Sequence, residues 1–142
     1  MLVLVTSNII LMKYEPLTFD IPELKGISTE TIEGHLGLYQ GYVKHVNLIR
    51  EKIGAYSSDP DNNAYAISEM QRRLGFEFGG MRNHEYYFSQ FEGGAQALPD
   101  GALKAKIKQQ WGSYEQWLTR FKEIAMTRGA GWAMLYHDPH TD

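Results

Sequence analysis

The chain has 142 residues, of which 43% are hydrophobic and 22% charged, with a formal net charge of -3 and a pI of about 5.9. This composition is ordinary for a globular protein large enough to bury a core, and the acidic balance predicts no nucleic-acid partner. The absence of cysteine excludes disulfides, thiolate zinc sites, iron–sulfur clusters and cysteine nucleophiles.

The N-terminal segment is apolar but short. Residues 1–11 fall well below the length of a membrane span, and they lack the basic region and cleavage site of a signal peptide. We therefore predict an N-terminal extension over 1–11, with a short apolar arm that packs on a neighbouring molecule as the alternative. No membrane partner is expected, and the predicted compartment is the cytoplasm.

Two long helices are predicted next. Ser28 is a favourable N-cap, and apolar residues recur after it at three- and four-residue spacing, which predicts a helix over about 29–54. A turn cluster at 57–63 separates it from a second helix over about 64–91. The glycine pair at 79–80 is expected to kink or split this second helix, because glycine is unfavourable in a helix interior.

Shorter elements follow. A helix is predicted from the turn at 98–101 to about Gln110, and Ser113 with Gln116 forms a capping box for another that ends near Met126. After the glycines at 129 and 131, residues 132–136 have the pattern of a strand.

The predicted fold class is therefore mainly α. It is a long antiparallel helical hairpin followed by the helical start of an α+β domain with one terminal strand. The predicted domains are a helical-hairpin domain over 12–92 and an incomplete α/β domain over 93–142.

Each long helix carries one histidine among apolar and aromatic residues. His35 and Tyr42 are seven residues apart, so they lie within about 20° of the same helix face. Antiparallel packing would bring His35 close to His84 on the second helix, and imidazole ligands suit manganese, iron, zinc and copper. A lone histidine on an apolar face is more often a hydrogen-bonded core residue, and this interpretation stays open for each of them.

Three ordered segments resemble the iron/manganese superoxide dismutases. They read ISTETIEGH at 27–35 with Tyr42-Val43 further along the same helix, NHEYYF at 83–88, and GAGWAML at 129–135. By this resemblance His35 and His84 are two metal ligands, Tyr42 lies at the mouth of the substrate funnel, and Trp132 lines the site.

The resemblance also implies an activity and a cofactor. The activity is dismutation of superoxide to dioxygen and hydrogen peroxide by a mononuclear manganese or iron site, and the implied assembly is a homodimer. Gly80 favours manganese slightly, because iron-type relatives often carry a glutamine at this position.

The sequence departs from the family pattern at several points. The family separates its first ligand from its tyrosine by eight residues rather than seven, and it has tryptophans where Phe88 and Met134 stand. Its aspartate and histidine ligands lie in a D-x-W-x-x-H motif that this sequence does not contain. The alternative function is therefore a truncated or non-catalytic relative that acts as a structural or interaction module. We interpret His137, His140 and Asp142 as polar residues of a solvated turn.

Overall fold

The computed structural model describes residues 12–140, so the extension predicted for 1–11 lies outside the described residues. The regular structure of this range is helical: α1 is Thr29–Tyr56, α2 is Pro60–Ser89, α3 is Ala102–Trp111 and α4 is Tyr114–Ala125. The mainly α fold class is thereby confirmed. None of these helices has the length and apolar character needed to cross a membrane.

The chain divides into two compact units by its internal contacts, the first ending at Gly94 and the second beginning at Ala95. The first unit holds α1 and α2, and the second holds α3 and α4. The functional domains inferred from the sequence, divided between residues 92 and 93, remain a prediction.

The start of α1 follows the local signals closely. A tight turn joins Leu24 to Ile27, and its Gly26 has a φ of 89°, which a residue with a side chain rarely adopts. Ser28 then caps the helix, because its hydroxyl accepts a hydrogen bond from the Thr31 amide at 3.2 Å. Glu30 in the first turn complements the positive end of the helix dipole.

The second helix begins earlier than predicted, at Pro60 rather than near residue 64. Proline suits the first position of a helix, because its φ is already helical and the missing N–H would have no helical acceptor there. The expected split at 79–80 does not occur, since α2 runs through both glycines to Ser89. Packing against α1 outweighs the weak helix propensity of this pair.

The core of the first unit lies along the seam between α1 and α2. Its buried residues recur at helical spacing on the facing sides of the two helices: Ile32, Tyr39, Val43 and Val46 on α1, and Met81 and Phe88 on α2. The extended segment before α1 packs on this core and is held by Asn47, whose side chain accepts from the Tyr14 amide at 2.9 Å and donates to its carbonyl at 2.8 Å.

The second unit contains the α3–α4 pair and the segment that follows it. Ser113 caps α4 by accepting from the Gln116 amide at 3.2 Å, as the capping box predicts. The strand predicted at 132–136 is not formed in the described part of the chain. A strand exists only where its backbone pairs with a neighbour, and here Leu135 and Tyr136 instead line a cleft of about 1030 Å³ beside α3.

Replacement of Met81 tests this core. Met81 is fully buried, so Met81→Ala is expected to lower the free energy of unfolding by about 2–5 kcal/mol through lost burial and a residual cavity. Urea unfolding followed by far-ultraviolet circular dichroism measures the effect. The matched control is Met12→Ala, whose side chain is 82% exposed and should cost less than about 0.5 kcal/mol; equal effects from the two variants would contradict the described core.

Candidate metal centre

Two histidines from different helices meet at the seam of the hairpin. His35 of α1 and His84 of α2 have ring centroids 4.7 Å apart, with the ring planes at 77°. His84 is buried and His35 is half-buried. The structure therefore brings together the two residues that the sequence singled out as candidate metal ligands, and their role as ligands stays a prediction.

The orientation of the His84 ring is set by its own helix. Nδ1 of His84 lies 2.6 Å from the carbonyl oxygen of Gly80, one turn earlier in α2. A carbonyl can only accept, so Nδ1 carries the hydrogen and the neutral ring has its lone pair on Nε2. Histidines that bind metals are commonly held in this way by a backbone carbonyl.

The protonation of His35 also suits a ligand. Burial lowers the pKa of His35, and the neighbouring His84 lowers it further. Both effects favour the neutral imidazole, because a positive charge is poorly solvated here and would face a second basic ring. A neutral ring is the form that binds a metal ion.

Aromatic rings surround the histidine pair. Tyr42 lies 5.1 Å from His84, while Tyr87 and Phe88 lie 5.2 and 5.4 Å from His35, between ring centroids. Such a shell limits the access of water and lowers the local dielectric constant, which strengthens electrostatic interactions at the site.

Gly80 has a structural role that the sequence did not reveal. A Cβ atom at this position would lie 2.4 Å from Cε1 of Tyr42, far inside van der Waals contact. The ring of Tyr42 can therefore reach His84 only because residue 80 has no side chain.

Trp132 belongs to the second unit, in the segment after α4, and is 36% exposed. Its proposed place at the site stays a prediction.

His140 is exposed in the turn at the end of the described range. Across residues 12–140 no group of three or more His, Asp or Glu side chains could hold a metal ion, so the histidine pair offers two of the donors that a complete site needs.

The sequence pattern did not single out two carboxylates of α2, the buried Glu77 and the half-buried Glu85. Glu77 is 2% exposed and accepts from Arg73 at 2.7 Å, with His45 of α1 at 3.5 Å. Glu85, next to His84, accepts from the buried hydroxyl of Tyr39 at 3.1 Å. In the sequence, the one indication of their burial was their position, since both glutamates lie on the face of α2 that packs against α1.

The close approach at Gly80 predicts a sharp contrast between two adjacent glycines. Gly80→Ala is expected to displace the Tyr42 ring and to cost about 1–3 kcal/mol of stability. Gly79→Ala is the control, because its Cβ would meet nothing within 4 Å; it should stabilise the helix by about 0.5–1 kcal/mol. Thermal unfolding of both variants measures the contrast, and equal stabilisation by the two would show that the contact is not tight.

Comparison with known proteins identifies the family. A model of the C-terminal domain of iron/manganese superoxide dismutases matches residues 99–142. An iron superoxide dismutase of Tetrahymena pyriformis is 33% identical over 130 residues, which cover 86% of this chain and 65% of that protein.

Two further relatives are matched over a similar share of their own length. An iron superoxide dismutase of Saccharolobus solfataricus is 33% identical over 141 residues, covering 94% of this chain and 67% of the relative. A manganese superoxide dismutase of Haloferax mediterranei is 31% identical over 103 residues, covering 71% and 68%. The chain thus spans about two thirds of the length of these relatives. The matches to these relatives cover 71–94% of the chain, and the chain belongs to the iron/manganese superoxide dismutase family.

Proposed function

We propose that this chain supplies two ligands, His35 and His84, of a mononuclear manganese or iron site that dismutates superoxide to dioxygen and hydrogen peroxide. The observation that carries the proposal is the meeting of two imidazoles from separate helices, 4.7 Å between ring centroids, in a chain of this family. Because the chain spans about two thirds of its relatives, we further propose that the other ligands come from sequence outside these 142 residues.

The residues of the chain fit a metal of this kind. Imidazole nitrogens bind iron and manganese, and the site's preference for them rises when a carboxylate ligand is added. When bound, the metal exchanges single electrons with superoxide. The Gly80 carbonyl accepts the Nδ1 hydrogen of His84, so Nε2 is the atom through which this ring would bind the ion.

Tyr42 is the proposed gate of the site. Its ring lies against His84 and on Gly80, and it is half-buried, so it can restrict access to the site. We also propose that its hydroxyl donates a proton to the peroxide formed from superoxide and is then reprotonated by solvent water. Trp132 is proposed as a second aromatic wall.

The identity of the metal is proposed on a narrower basis. Relatives of this chain are named for iron and for manganese. Iron-type members of the family often carry a glutamine at the position of Gly80, so by this resemblance we favour manganese slightly.

An interaction module is the second candidate function. The observation that favours it is the donor set: within residues 12–140 no third His, Asp or Glu joins the two histidines in a group that could hold a metal ion. Two imidazoles alone would bind a metal weakly and leave it open to solvent. Metal retention by the native product separates the two functions.

Substitution of the two histidines tests the metal site directly. His35→Ala and His84→Ala are each expected to abolish metal retention in the native protein, because each removes a ligand. His140→Ala is the control, since this histidine is exposed in the terminal turn, and it should leave metal content unchanged. Manganese and iron are measured by elemental analysis after dialysis; full retention by either ligand variant would contradict the assignment.

The activity of the 142 residues alone gives a further test. We expect little or no superoxide dismutation from this chain by itself, because only two of the family's four ligand positions are matched. Loss of outer partners of a metal site already costs about 10–100-fold in affinity or activity, and loss of ligands should cost more. A superoxide assay with metal analysis, on this chain and on a longer form carrying a D-x-W-x-x-H segment, makes the comparison. Strong activity from the shorter form would mean that other residues complete the site.

We further propose that the protein is cytoplasmic and that it associates with a second copy of itself. In the segment after α4, four apolar side chains each expose 36% or more of their surface: Trp132, Met134, Leu135 and Tyr136. Exposed apolar segments of this kind commonly mark interaction surfaces. Sedimentation should show a homodimer. A monomer at high protein concentration would count against this proposal.

A further inference from the structure

The hydroxyl of Tyr39 is a buried junction between three parts of the first unit. Tyr39 is 1% exposed, and its hydroxyl accepts from the Leu17 amide at 2.9 Å and donates to Glu85 at 3.1 Å. The Leu17 amide can only donate to the hydroxyl oxygen, so the hydroxyl hydrogen is directed to Glu85. One oxygen atom thereby joins the extended segment before α1 to α1 and α2.

The two ends of the Tyr39–Glu85 bond lie beside the histidine pair. Tyr39 follows His35 by four residues on α1, so both side chains lie on one helix face. Glu85 directly follows His84 on α2. The bond therefore connects the helical turn that carries one imidazole to the turn that carries the other.

The carboxylate of Glu85 is itself held in place. Its second oxygen accepts from Arg82, one turn earlier on α2, and the side chain is 11% exposed. Hydrogen bonds to a charged partner are stronger than neutral ones, and in a buried setting they specify geometry. Glu85 is thus a fixed acceptor rather than a mobile surface group.

Packing of the Tyr39 ring adds to this constraint. The ring lies 6.3 Å from the His84 ring with an interplanar angle of 26°, and Phe19 packs on it at 5.9 Å. A shift of Tyr39 would therefore disturb the space beside His84 as well as the separation of the helices.

We infer that Tyr39 and Glu85 are positioning residues for the metal site: their hydrogen bond sets the distance and rotation between the His35 and His84 turns before an ion binds. This inference rests on the proposed function, in which the two histidines are ligands. A preformed pair loses less conformational freedom when it binds an ion, so the relay raises metal affinity without itself providing a ligand.

The test uses Mn(II) as the probe. Manganese chloride is titrated into the metal-free chain, and paramagnetic broadening of the His35 and His84 ring signals is followed by nuclear magnetic resonance. Tyr39→Phe keeps the ring and removes the hydroxyl, and Glu85→Leu removes the acceptor. Each should raise the Mn(II) concentration for half-broadening by about 10-fold or more, the lower bound for loss of an outer partner of a metal site.

Three further variants distinguish positioning from general damage. Glu85→Gln keeps an oxygen that accepts from Tyr39, so its midpoint should stay within about threefold of the wild type. The double variant Tyr39→Phe with Glu85→Leu should have an Mn(II) midpoint no higher than that of the more strongly affected single variant, because both substitutions remove the same hydrogen bond. Tyr86→Phe, on an adjacent residue that is 61% exposed, should leave the midpoint unchanged.

A metal-free measurement completes the design. The nuclear Overhauser contact between the two histidine rings should weaken in Tyr39→Phe and Glu85→Leu and persist in Glu85→Gln. Mn(II) midpoints within about twofold of the wild type for both disruptive variants would overturn the inference. If the wild-type rings show no broadening at all, the proposed metal site fails, and the inter-ring contact alone then decides whether the relay positions the pair. If Tyr39→Phe does not fold, the two Glu85 variants carry the comparison.

Discussion

The packing of α1 on α2 is the constraint on which the first unit depends. A long helix that buries one face must satisfy every polar group on that face, because an unpaired polar atom away from water costs free energy. The seam accordingly mixes apolar residues with three polar ones, Tyr39, Glu77 and His84, and each of these has a hydrogen-bond partner. Within the described residues no buried side-chain nitrogen or oxygen is left without a hydrogen bond.

This satisfied seam explains how histidines can be held in an apolar setting without a covalent or disulfide constraint. The His84 ring is fixed by a carbonyl of its own helix, and the facing helix brings His35 to it. Gly80 has two roles here, because its carbonyl holds the ring while its missing side chain admits Tyr42. One residue of α2 thus orients the candidate ligand and makes room for its aromatic neighbour.

The second unit presents a different physical situation. Its α3–α4 pair fully buries little more than Ile107, and the segment after α4, as far as residue 140, forms no strand. The C-terminal domain model of the family matches residues 99–142, which include this segment. The pattern of Trp132–Tyr136 is that of a strand, and it needs a neighbouring strand to become one.

Local chemistry made much of the fold predictable from the sequence. Ser28 and Ser113 mark helix starts because a side-chain oxygen can satisfy an amide within the next turn, and helical spacing of apolar residues identified the seam and both histidines. The sequence was less informative where packing outweighs propensity, as at Gly79 and Gly80, which α2 passes through without a break.

The contacts between distant side chains follow from tertiary packing. The relay from Leu17 through Tyr39 to Glu85 joins residues that are far apart along the chain, and no local pattern encodes such a contact. The packing of the Tyr42 ring on Gly80 likewise depends on the distance between α1 and α2. The residue pattern alone places the long helices approximately and shows a histidine on the apolar face of both. That the two rings face each other follows from helix packing, because register and separation arise only when both apolar faces are buried together.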